Sequence, residues 1–206
     1  MEWNNFRIQP NAFLRKADLK YADLRSAELM FADLVDADLT NADLSWANLT
    51  HANLYLAELR GIRFDHSDLT GANFTKSDLS HSSFFESVLT GANFTNAIME
   101  QVKFIWGEYL GINLSNVNLN GSWFSSCGFQ GANFENSTLA NTRFSNVNLS
   151  SANFAEAKLV DAKLIDVDLS FANLEDANLF RADLQKVNFE GANLTGALMP
   201  DGTVHD

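Results

Sequence analysis

Beginning at Leu14, every fifth residue of the chain is large and apolar, through Leu19, Leu24 and Leu29 to Met199. Over those thirty-eight pentads the position is always Leu, Phe, Met or Tyr. Two residues earlier stands a small or β-branched residue, Ala in twenty-two pentads and otherwise Ser, Val, Ile, Thr, Gly or Cys. A period of five suits neither regular element alone. On an α-helix five residues advance a side chain by about 500°, so the leucines would wander around the axis without forming a stripe. On a strand, the Ala and the Leu two residues later share a face, but the next Ala is an odd step away and would point to the other side. Both positions face inward only if the chain turns once in every pentad.

The residue two after each Leu or Phe shows how it turns. Gly fills that slot at 61, 71, 91, 111, 121, 131, 191 and 196, and Asn or Asp fills many of the others. These residues tolerate the positive φ that the third position of a type II turn requires. Four turns close a loop of twenty residues, and the wording repeats on that interval: LTGANFT stands at 69–75 and again at 89–95. Residues twenty apart then stack. One column reads Phe64, Phe84, Phe104, Phe124, Phe144, and the opposite one Phe74, Phe94, Leu114, Phe134, Phe154. A third reads Asn53, Asn73, Asn93, Asn113, Asn133, Asn153, Asn173, Asn193, and stacked amides of this kind can hydrogen-bond from coil to coil.

The runs ADLKYADLRSAEL, LVDADLTNADLSWANL and FANLEDANLFRADL resemble the pentapeptide-repeat family over essentially residues 12–199. That resemblance implies an all-β, right-handed quadrilateral β-helix with the Leu or Phe and the preceding small residue inside. The closing GALMPDGTVHD is similar to the tails of cyanobacterial members. Thirty-eight pentads at four per coil give about 9.5 coils, a rod roughly 45 Å long at one strand spacing per coil. Its ends would be open β-edges that need covering. The segment 1–11, with Trp3, Phe6 and Ile8, is the expected N-terminal cap, and 200–206 a short C-terminal tail in which Pro200 stops the ladder.

Composition narrows the class. A hydrophobic content of 46% excludes a disordered tail, and a net charge of −12 argues against nucleic acid or an anionic membrane as a direct partner. One cysteine, Cys127, excludes a disulfide framework and a cysteine-rich zinc site. With no signal-peptide core and no apolar span, the expectation is a cytoplasmic monomer.

Chemistry is sparse. His51, His66 and His81 occupy turn slots in three different columns, and His205 lies in the tail, so no shared metal site or cofactor is expected. Cys127 falls in the inward small slot, where a buried thiol is inert. Asp18 and Asp38 stack one coil apart, but they are exposed consensus positions rather than an acid/base pair. No nucleophile–base arrangement and no nucleotide-binding loop occurs, and an enzyme is not expected.

Three departures from the consensus remain. Residues 97–129 hold Ala in the small slot only at 97; Phe85, Ile105, Trp106 and Trp123 put large apolar groups outward; and the column through Trp123 carries Lys103, Arg143 and Lys163. Aromatics rimmed by Arg and Lys resemble an interface core, although single exposed aromatics also shield sheet edges. Two functions are compatible with the sequence. One is a non-catalytic scaffold, suited to a regulatory role, that binds an unidentified protein through this patch. The other, implied by the family resemblance, is a mimic of duplex DNA that binds a type II topoisomerase such as gyrase. Against mimicry stand the basic stripe, the neutral asparagine face, and the lack of a projecting loop or a dimer-forming C-terminal helix.

Overall fold

The computed structural model describes residues 9–206, so Trp3, Phe6 and Ile8 of the expected cap lie outside the described residues. The fold is an all-β parallel solenoid with no helix among the described residues. Neighbouring coils pair at an interval of twenty residues, without a break, from Phe13↔Asp33 to Asn178↔Leu198.

One pentad shows why the repeat has its composition. A buried backbone N–H must find an acceptor, and the stack assigns one to each. In the pentad around Leu34, the Leu34 N–H bonds forward to Asn53 O and the Asp36 N–H forward to Tyr55 O. The Asp33 N–H bonds back to Ala12 O, and the Ala37 N–H closes the turn onto Leu34 O. The fifth, Val35 N–H, is accepted by the side chain of Asp33. The same Asp or Asn bond to the residue two ahead recurs at Asp38, Asn48, Asn53, Asp68 and Asn93, among others. The D/N of the motif is therefore structural: it satisfies the one donor that the coil leaves over.

The turn slot has φ between 51° and 73° in every pentad from Asn11 to Gly196. Thirty of these residues are not Gly. Each costs roughly 1 kcal/mol or more relative to glycine, so intercoil pairing holds the corner rather than local preference. Gly71 shows what glycine adds. A Cβ there would lie 2.4 Å from the His51 ring, which leans over it from the preceding coil.

Inside, the expected rings are stacked: Phe64, Phe84, Phe104, Phe124 and Phe144 follow one another with centroids 4.4–5.4 Å apart. Phe74–Phe94 and Phe134–Phe154 stack on the opposite face. The two ladders meet edge-to-face, as in Phe64–Phe74 at 5.7 Å, which suits the ring quadrupoles. Leu114 interrupts the second ladder, and there Tyr109 and Phe129 turn in to meet Phe104. Gly107 makes the room, since a Cβ on it would lie 2.2 Å from the Tyr109 ring. Tyr109 is buried and donates its hydroxyl to Phe84 O at 2.8 Å.

The asparagine column is a ladder in segments. Amide-to-amide bonds join Asn73 to Asn53, and Asn153, Asn173 and Asn193 each to the one before. Between them the carbonyl oxygens of Asn73 and Asn93 already accept both the N–H and the hydroxyl of Thr75 and Thr95. A hydroxyl two residues on fills the lone pair that the next amide would need.

From the fourth coil upward one face changes character. Strands β1 (Ser83–Phe85), β2 (Lys103–Ile105), β3 (Trp123–Gly128), β4 (Arg143–Asn148), β5 (Lys163–Asp168) and β6 (Asp183–Asn188) form one parallel sheet in chain order. From β3 onward the strand runs through the corner: Phe124↔Phe144 and Cys127↔Val147 belong to one ladder. At the C-terminal end the chain folds back, with Leu198 and Val204 bridged antiparallel and the His205 N–H bonded to Ala197 O.

Candidate functional site

The face carried by β1–β6 holds every residue of the sequence-predicted patch except Trp106, which stands at its corner. Its outward positions before the buried ring read Ser83, Lys103, Trp123, Arg143, Lys163, Asp183, each paired in register with the next. The positions after the ring read Phe85, Ile105, Ser125, Ser145, Ile165, Gln185. In lower coils the first of these positions is usually Asp or Asn, bound to its own backbone. Here the second position joins the intercoil ladder instead, and the first is released to carry Lys, Trp or Arg.

Lys103, Arg143 and Lys163 are exposed. Trp123 is 43% and Trp106 59% exposed, whereas Phe85 and Ile105 are half-buried. Trp106 occupies a corner with φ 57° and lies against Phe85, the ring centroids 5.7 Å apart. Trp123 stands as a ridge between two shallow depressions. The first, about 380 Å³, is lined by Gln101, Lys103, Gly121, Asn141 and Arg143; the second, about 320 Å³, by Arg143, Ser145, Lys163 and Ile165. The sequence alone gave Gln101, Asn141 and Ile165 no role. Their signal lay in the twenty-residue columns, which set them beside Trp123 and Lys163.

Exposed aromatics are not confined to this face. Phe13, Tyr21, Phe31, Trp46 and Phe171 are at least half exposed. Two of them stack along their corners: Trp46 on His66 at 5.2 Å, and Phe31 on His51 at 5.3 Å. What separates the β1–β6 face from these is its charge. Lower in the same column, Arg63 sits 3.5 Å from both Asp43 and Asp65. Arg15, Lys20, Arg25 and Arg60 likewise hold carboxylates. Among the described residues no carboxylate lies within ion-pair distance of Lys103, Arg143 or Lys163.

The remaining chemistry is quiet. Burial pushes the Cys127 thiol up to about 12, and its Sγ lies 3.8 Å from Phe104 O. Burial also raises the Tyr109 phenol well above its ordinary range. His66 pairs with Glu86 at 3.1 Å. Among the described residues no three His, Cys, Asp or Glu side chains group as a metal site, and no helix is long and apolar enough to cross a membrane.

Comparison with known families agrees with the repeat geometry. The family described as Pentapeptide repeat region matches residues 62–134 and 97–164, and Pentapeptide repeats (8 copies) matches 27–65 and 162–199. The chain belongs to the pentapeptide repeat family. Among solved pentapeptide repeat proteins it is similar to HetL, involved in heterocyst differentiation regulation in the cyanobacterium Nostoc sp. strain PCC 7120. The identity is 31% over 95% of this chain and 88% of HetL, with a TM-score of 0.63. A trypsin-treated form of QnrB1, a plasmid-mediated fluoroquinolone resistance protein, is 18% identical over 88% of this chain and 89% of that one, with a TM-score of 0.48. Among curated proteins none matches.

Proposed function

We propose that this pentapeptide repeat protein is a non-catalytic rigid scaffold that binds a protein partner through the face around Trp123. The observation that carries the reading is the coincidence, on one sheet, of an exposed tryptophan with three cations that have no carboxylate within ion-pair distance among the described residues. Its similarity to HetL makes a regulatory role the favoured setting. We read the solenoid as right-handed, with about 9.5 coils, on the strength of the unbroken twenty-residue register and the family resemblance. The C-terminal fold-back, which occupies the edge at Leu198, supports a monomer. A cytoplasmic location rests on composition, a single buried thiol with no cysteine to pair with.

The test is the double change Trp106→Ser with Trp123→Ser, used in affinity capture from the source organism beside the unaltered protein. Surface substitutions usually shift stability by under about 0.5 kcal/mol, so the melting curve should hold. Truncating an interface anchor costs about 2 kcal/mol or more of binding, so capture of the specific partner should be lost. A lowered melting temperature would make the tryptophans structural shields, and unchanged capture would move the site to another face. The alternative, a DNA mimic that binds gyrase, keeps the −12 net charge in its favour; inhibition or protection of gyrase in a supercoiling assay would establish it.

A further inference from the structure

The unpaired cations point to the chemistry of the partner. This inference rests on the protein-binding reading above. The lower coils show what the column does when it is complete in itself: Arg63 lies between Asp43, one coil below, and Asp65, two residues along. Higher up, the positions equivalent to Asp65 are Phe85, Ile105, Ser125, Ser145 and Ile165. The cations persist while their carboxylates have been replaced by apolar or hydroxyl groups. Asp65 also accepts the Ser83 hydroxyl and the Phe85 N–H; above it no acid stands in that row, and among the described residues no carboxylate lies within ion-pair distance of the three cations.

We infer that this face binds an acidic, extended segment of another protein, laid along the rod axis across Trp123. Its carboxylates meet Lys103, Arg143 and Lys163, and an apolar side chain rests against the indole. The two depressions divide the work. Each borders Trp123 and contains Arg143, one adding Lys103 and the other Lys163, so each offers a charged rim beside an apolar wall. From Lys103 to Lys163 the strip spans three coil steps, roughly 14 Å at one strand spacing each, which is the reach of four or five extended residues.

Charge also decides between a peptide and a nucleic acid. The cations occupy one column, which ends above in Asp183, the in-register neighbour of Lys163; Glu86 and Asp166 are outward at the adjacent corner and Glu108 beyond it. A long polyanion crossing the face would run over those carboxylates, whereas a short acidic segment along the axis would not. With a chain net charge of −12, the field beyond this strip repels phosphate backbones.

A short random-peptide library displayed on phage, panned on the full chain, tests the inference. Selected peptides are then made with a fluorescein label and measured by anisotropy. The expected peptides carry two or more Asp or Glu flanking an aromatic or aliphatic residue, and their affinity falls as ionic strength rises. The double change Arg143→Glu with Lys163→Glu should weaken them about tenfold or more with an unchanged melting curve. Peptides with Lys in place of the acids should bind that variant better than the unaltered protein. Peptides that need Trp123 but carry no acid would overturn the acidic partner and leave the protein-binding face standing. Peptides indifferent to Trp123→Ser would overturn both. A labelled single-stranded oligonucleotide that outcompetes the peptides in an Arg143-dependent manner would replace the protein segment by nucleic acid, and panning that enriches nothing would count against the inference.

Discussion

The lower coils, up to about residue 82, and the upper coils, from Ser83 to Asn188, share one frame and solve it differently. At the corner leading from the phenylalanine column, the lower coils hold Ala27, Ala47 and Ser67, and each N–H closes onto Leu24, Leu44 or Phe64 at 3.0–3.1 Å. The upper coils place Cys127, Val147 and Val167 there, and the strand passes through the corner. Valine, stiff at χ1 and suited to extended backbone, favours that path. Below, an Asp or Asn side chain satisfies the spare N–H and its carboxylate pairs with a cation. Above, Asp65 still accepts the Phe85 N–H, but from β2 onward the equivalent residue is paired within the sheet and the side-chain position is released. The comparison teaches that surface chemistry in this fold is set by who satisfies the fifth N–H.

The largest effect expected lies in the core. Phe104 touches the rings of Phe84, Phe124, Tyr109 and Phe129, and Phe104→Ala should cost about 3–5 kcal/mol. Leu44→Ala, in the same column below, should cost less, nearer about 2–3 kcal/mol. Equal losses in chemical denaturation would mean that the aromatic upper core packs no more tightly than the leucine one.

Gly107→Ala comes next. It should destabilise by about 1–3 kcal/mol through overpacking against Tyr109, and adding Tyr109→Leu should recover most of that loss. A double-mutant cycle with no coupling would break the account of Gly107 as room for the ring.

Hydroxyls separate the regions more finely. Ser137 Oγ accepts the Val117 N–H at 3.1 Å and donates to Leu114 O, standing in for a turn bond. Ser67 Oγ only adds a donation to Phe64 O, where the turn is already closed. Ser137→Ala should therefore cost about 1–3 kcal/mol, because a buried N–H is orphaned, and Ser67→Ala about 0.5–1.5 kcal/mol. Thermal melts that rank them the other way would refute the inserted hydroxyl.

Smallest are the surface charges. Arg63→Ala should shift stability by about 0–1 kcal/mol, as exposed ion pairs do. Ser145→Asp, which gives Arg143 the neighbour that Asp65 gives Arg63, should stay within about 0.5 kcal/mol. If Ser145→Asp stabilised the chain strongly, the upper face would have been strained by its own charges rather than left open.

The inward frame, the twenty-residue register and the phenylalanine columns were legible because they depend on a side chain's position alone. The role of the motif's Asp and Asn was not: Asp33 reads as an exposed polar residue until the Val35 N–H is seen to lack a backbone acceptor. Nor could the asparagine column disclose its gaps, two of which depend on competing Thr hydroxyls at 75 and 95. The patch was readable as a column of charges, since Lys103, Arg143 and Lys163 stack by counting. That Phe31, Trp46 and Phe171 are also exposed was missed because corner side chains lean along the stack, a direction that spacing does not encode.

The unbroken register has a consequence for how such a chain can change length. Adding or removing twenty residues inserts or deletes one whole storey, and every face above keeps its compass bearing. Adding five keeps the inward frame, since each pentad supplies the same pair of inward positions, but rotates everything downstream by a quarter turn. Such an insertion between Phe144 and Phe154 would take Phe154 off Phe134 and scatter the cations over two walls. The aromatic columns inside and the binding face outside thus both hold the spacing at multiples of twenty.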